Sequence, residues 1–113
     1  MDNKIYIGID LHKRSQTWVV LGESDNTKLL TRTYPVTPDG IAYAVSDVKK
    51  LGSGLVALVE PVCGWIWVVK RLRELGLKVD ICNPRKIRMI AESLQKTDEN
   101  DAYTLARLLK TGE

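Results

Sequence analysis

The stretch KIYIGID (4–10) alternates, with Ile5, Ile7 and Ile9 on one side and Tyr6, Gly8 and Asp10 on the other. That period of two marks a β-strand with one face in a core. SQTWVVLGE (15–23) is rich in β-branched and aromatic residues and predicts a second strand. ESDNTK (23–28) is a turn cluster, and LLTRTY (29–34) predicts a third strand. Three strands with short connections suggest an antiparallel meander. The period then switches. Thr37 stands as N-cap, Pro38 takes the first helical position, and Ile41, Val45 and Val48 recur at i, i+4 and i+7. Gly52 is the expected stop of this helix.

LVALV (55–59) is a short continuous apolar run, as a buried central strand requires, and Glu60 closes it. Trp65, Val68, Val69, Leu72 and Leu75 share one face of a second helix that ends at Gly76. KVDIC (78–82) predicts a fifth strand. Asn83-Pro84 opens a third helix, with Ile87, Ile90, Ala91 and Leu94 on one side. After a polar break at Gln95–Thr97, Ala102, Leu105, Ala106 and Leu109 form the apolar face of a last helix. A meander followed by two right-handed crossovers gives an α/β fold: a mixed five-stranded sheet, order 3-2-1-4-5, with helices on its faces. Ribonuclease-H-like folds have this layout, and so do the half-domains of actin-like and hexokinase-like ATPases. The chain shows no linker or repeat, and its 113 residues predict one domain, 1–113.

Composition narrows the class. Hydrophobic residues make up 44% and charged residues 27%, a globular balance. No apolar run approaches the roughly 20 residues of a membrane helix, and MDNKIYIGID lacks the layout of a signal peptide. A cytoplasmic protein is expected. Cys63 and Cys82 with a single histidine do not have zinc spacing, so two reduced thiols are expected. The net charge of +3 says little about partners, but its distribution says more. Residues 70–110 hold ten Lys or Arg against six Asp or Glu. A basic C-terminal half suits nucleic acid and also suits solvated helix faces.

Four acids stand at telling places. In open α/β sheets, sites form at the carboxyl ends of the central strands. Asp10 ends strand 1 and Glu60 ends strand 4, which are parallel neighbours in the expected order. Two carboxylates side by side are costly unless a cation fills the gap or one protonates. Asp98 and Asp101, at i and i+3, project from one face of the last helix. If that helix crosses the same edge, four hard oxygen donors meet, a set suited to Mg²⁺ or Mn²⁺. Two such ions about 3.5–4 Å apart serve phosphodiester chemistry. Each acid also has a plain reading: strand-end turn for Asp10, solvated end for Glu60, helix capping or dipole pairing for Asp98 and Asp101. Capping explains the last pair without explaining the first.

YIGIDLHK (6–13), LVEPVCGW (58–65), NPRKIR (83–88) and KTDENDAYTLARL (96–108) together resemble the N-terminal domain of DEDD-type insertion-sequence transposases. That group includes pilin-gene-invertase-like and bridge-RNA-guided recombinases. The resemblance covers essentially the whole chain. It implies a RuvC-like variant of the ribonuclease H fold, Mg²⁺, and a D-E-D-D set on Asp10, Glu60, Asp98 and Asp101. It also implies DNA as substrate, a guide RNA as partner, a homo-oligomeric full-length protein and association with the nucleoid during action. Pro61-Val62-Cys63-Gly64 departs from the small, Gly-rich segment common in the family. The family's nucleophilic serine belongs to a C-terminal domain beyond Glu113. None of Ser15, Ser24, Ser46, Ser53 or Ser93 matches its motif, so little or no recombination is expected of this piece alone.

Several cations are candidates for nucleic-acid contact. Lys13 follows the acidic strand end and Lys96 precedes Asp98; both could reach a phosphate. Arg85, Lys86 and Arg88 open the third helix, where cations are unfavourable without a counter-charge. For His12, a structural or surface role is the ordinary reading and proton transfer the sharper one. Trp18, Trp65 and Trp67 read as core or dimer contacts. Two rivals stand beside the transposase reading. One is a non-catalytic nucleic-acid-binding or dimerisation module of the same fold. The other is half of an actin-like ATPase, which would need a Gly-rich phosphate hairpin and a second lobe.

Overall fold

The computed structural model describes residues 4–24, 27–60, 65–81 and 98–111, with side chains from 101 onward in the last stretch. Five strands, β1 (Lys4–Leu11), β2 (Ser15–Leu21), β3 (Lys28–Pro35), β4 (Gly54–Val59) and β5 (Lys78–Ile81), form one sheet in the order β3-β2-β1-β4-β5. The first three are an antiparallel meander, and β4 and β5 add in parallel to β1. The helices are α1 (Pro38–Lys49), α2 (Trp65–Glu74) and α3 (Asp98–Thr111). The expected order 3-2-1-4-5 is the observed one. The helix expected over 84–94, with Cys82, Arg85, Lys86, Arg88 and Lys96, lies outside the described residues, as does Cys63.

Alternation along the strands divides the sheet into two faces. Ile5, Ile7, Ile9 and Leu11 of β1, Leu55, Ala57 and Val59 of β4, and Trp18 and Val20 of β2 point to one side. They pack there with Ile41, Ala44, Val45 and Val48 of α1 and Val68, Val69 and Leu72 of α2. Burying each large aliphatic side chain contributes roughly 1.5–3 kcal/mol. The buried Gln16 amide in this layer is satisfied: Trp18 Nε1 donates to Gln16 Oε1 (2.9 Å) and Gln16 Nε2 donates to the Pro35 carbonyl (3.1 Å). Tyr34 ties β3 to α1, its hydroxyl donating to Asp47 Oδ2 at 2.7 Å.

The helix ends follow local chemistry. Thr37 caps α1 by accepting from the Gly40 N–H (3.0 Å). Gly76 terminates α2 with φ of 101°, and the Gly76 and Leu77 N–H groups donate to the Arg73 and Leu72 carbonyls. Gly52 does not play that part for α1. The helix closes at Lys50 in a right-handed conformation, and Gly52 lacks a positive φ. A side chain at Gly52 would instead meet Ile5 Cδ1.

The other face carries α3. Ala102 and Ala106 pack on Val19 and Leu21 of β2, and Leu105 and Leu108 pack on Leu58 of β4. Between them lies Gly8 of β1. A Cβ there would overlap the Ala102 carbonyl oxygen and press on the Ala106 nitrogen. Glycine at this point lets a helix backbone sit directly on a strand backbone.

Candidate metal centre

Strand parity places Asp10 on the α3 face, two residues beyond Gly8. It is 4% exposed. Its β2 partner is Thr17, buried on the same face, whose Oγ1 lies 3.0 Å from Thr33 Oγ1 on β3. On the other flank, Ile9 pairs with Val59, so Glu60 follows β4 in step with Asp10. Leu58 faces α3, and Glu60, two residues on, shares its parity and is half-buried. Acids and hydroxyls thus form a row at the edge made by the carboxyl ends of β4 and β1 and the amino end of β2.

The direction of α3 brings Asp101 to that edge. Leu109 lines one cavity with Tyr6 and Val56, which lie toward the amino ends of β1 and β4. Leu105 and Leu108 lie on Leu58. Asp101 is one turn before Leu105 on the same stripe, about 6 Å along the axis. Glu60 is two residues beyond Leu58, about 6.6 Å along the strand. The two steps match, so Asp101, itself 9% exposed, stands over the acidic end of the sheet. Asp98 is the first residue of α3, a further turn outward; its side chain lies outside the described residues, as does any cap from Thr97.

Asp10, Glu60 and Asp101 therefore share one edge and one face of the sheet. They are not shown closed around a common point: among the described residues no three Asp, Glu, His or Cys side chains converge closely enough to hold an ion. The donor set fits a divalent cation by its chemistry, being all carboxylate oxygen. Of the cationic candidates, Lys13 is exposed in the β1–β2 turn, and Arg85, Lys86, Arg88 and Lys96 fall outside the described residues.

One partner of the site was not legible from composition or motif. His12 Nε2 lies 2.7 Å from Asp10 Oδ2. The usable signal was the i, i+2 spacing on a strand, which puts both side chains on one face. Away from the site, burial first, then the hydrogen bond and charge of Asp47, push the Tyr34 hydroxyl well above its ordinary range.

The family model of the DEDD transposases, IS110 group, described as transposase, matches residues 7–113. This chain belongs to that transposase family. No curated protein sequence matches it. Among solved structures, the transposase domain is similar to T. thermophilus RuvC in complex with a Holliday junction substrate, at 13% identity and TM-score 0.60, covering 91% of this chain and 90% of that one. It is also similar to the large terminase nuclease of thermophilic phage G20c, at 15% identity and TM-score 0.61, covering 98% of this chain and 56% of that one. At such identities the likeness shows the fold, which is RuvC-like and of the ribonuclease H type. Among the described residues, no helix of the domain is long and apolar enough to cross a membrane.

Proposed function

We propose that this transposase domain supplies the divalent-metal site for DNA strand cleavage and transfer, with Asp10, Glu60, Asp98 and Asp101 as the ligand set. The observation that carries the reading is the burial of Asp10 and Asp101 on facing elements at one sheet edge, with Glu60 in register beside them. Carboxylates gathered there repel one another and are partly desolvated, which a bound cation relieves. When bound, Mg²⁺ or Mn²⁺ stabilises charge on the attacking and leaving oxygens of a phosphodiester.

The protein's own part is to hold the oxygens in place. The β1–β2 ladder fixes Asp10, the end of β4 at Val59 sets the position of Glu60, and α3 fixes Asp101 through its seat on Gly8. In this reading the nucleophile is a serine hydroxyl from a C-terminal domain outside this chain. Lys13 and Lys96, beside the acids in sequence, would meet a phosphate, and Arg85, Lys86 and Arg88 would extend that contact along a nucleic-acid backbone. A guide RNA and a homo-oligomeric assembly belong to the same proposal.

The rival is a nucleic-acid-binding or dimerisation module of the same fold without catalysis. Thermal melting in Mg²⁺ or Mn²⁺ separates the two. The metal reading expects the ion to raise the melting temperature of the wild type and to have little effect on Asp10→Ala. Equal shifts in both proteins would support the module instead.

A further inference from the structure

We propose that His12 is the positioning residue for Asp10, holding its carboxylate in the orientation in which a cation would meet it. The inference rests on the metal reading above and assigns a role that the four acids do not contain. His12 follows the last residue of β1, and its backbone is fixed: the His12 N–H donates to the Ser15 carbonyl at 2.9 Å, closing the β1–β2 turn. With the backbone held, parity returns the imidazole to the face that carries Asp10. Its Nε2 reaches Asp10 Oδ2 at 2.7 Å, the short distance of a charge-assisted hydrogen bond.

The exposures of the two side chains fit this division of roles. The Asp10 side chain is 6% exposed and that of His12 is 48% exposed. The imidazole therefore stands between a buried carboxylate and solvent. Paired with an ionised carboxylate, which only accepts, Nε2 is the donor of this bond. A carboxylate held by a hydrogen bond cannot swing its plane freely, which lowers the ordering cost when a cation binds it. Partners of this kind around a metal ligand typically alter affinity by about 10–100-fold. Solvent-facing histidine without that role would leave cation affinity unchanged when replaced.

The test is Mn²⁺ affinity, read from the free-ion paramagnetic resonance signal, on the wild type, His12→Ala, His12→Gln and Asp10→Asn. Far-UV circular dichroism and metal-free melting confirm that each is folded. His12→Ala is expected to weaken Mn²⁺ binding by about tenfold. His12→Gln, which keeps an N–H at similar reach, should recover most of the loss, and Asp10→Asn should abolish binding. If Asp10→Asn loses binding while His12→Ala matches or exceeds the wild type, the positioning role is overturned and the metal site stands. If Asp10→Asn binds as the wild type does, the metal reading itself fails, and this inference with it.

Discussion

Gly8 of β1 and Ala102 of α3 meet backbone to backbone, with no room for a single methyl group between them. This contact sets the height of α3 above the sheet, and so the distance from Asp101 to Asp10. Replacing Gly8 by Ala must lift or tilt the helix, because the obstructing atoms are main-chain and cannot rotate away. Overpacking of this kind typically costs about 1–3 kcal/mol. Urea unfolding of Gly8→Ala should show a loss near the top of that range, together with weakened Mn²⁺ binding. A loss within about 0.5 kcal/mol, the usual scatter of surface substitutions, would mean that α3 is not seated on β1 as described.

Asp101 should behave as a residue kept for chemistry rather than for stability. Its carboxylate is buried at the acidic edge, and no ion pair to it is seen among the described residues. In the absence of metal, Asp101→Asn should be no less stable than the wild type, since it removes a buried charge from the sheet edge that carries Asp10 and Glu60. The same variant should lose the stabilisation that Mn²⁺ gives the wild type. Paired melting curves with chelator and with Mn²⁺ measure both. A marked loss of metal-free stability would return Asp101 to a purely structural role.

Tyr34 should produce an alkaline limb in the stability profile. Burial and Asp47 raise its pKa in the folded state above the unfolded value of 10.0. The bound proton then favours the folded state. That contribution is fully present below about pH 10 and declines as pH rises beyond it. Tyr34→Phe should cost about 1 kcal/mol near neutral pH, from the lost bond to Asp47. It should also fall less steeply than the wild type above pH 10. Parallel alkaline profiles for the two proteins would contradict the assignment.

Two glycines near helix ends should respond differently. Gly76 has φ of 101°, a conformation that costs a residue with a Cβ about 1–2 kcal/mol. Gly52 has no such φ, and a methyl there meets only the flexible end of Ile5. Thermal unfolding should therefore rank Gly76→Ala below Gly52→Ala. The reverse order would place the strain in the wrong loop.

The contrast between these glycines shows where sequence was and was not legible. Strands and helices follow from alternation and from the i, i+4 pattern, because burial of one face dictates both. The sheet order follows from the meander and the handedness of crossovers. Gly52 and Gly76 look alike as helix stops, yet only the folded backbone tells a left-handed residue from a close approach. Gly8 was legible as a strand residue but not as the seat of α3, since the contact joins positions 94 residues apart in the chain. Asp10 and Glu60 were legible as strand ends. The bond from His12 to Asp10 depends on how the β1–β2 turn closes, and side-chain type alone does not carry that.

The most direct measurement is anomalous diffraction from a crystal of this domain soaked in Mn²⁺. The four-acid account predicts one or two anomalous peaks among Asp10, Glu60 and Asp101, within coordination distance of at least two of their carboxylates. A saturating soak with no peak at that edge, or with peaks only at surface carboxylates elsewhere, would contradict it.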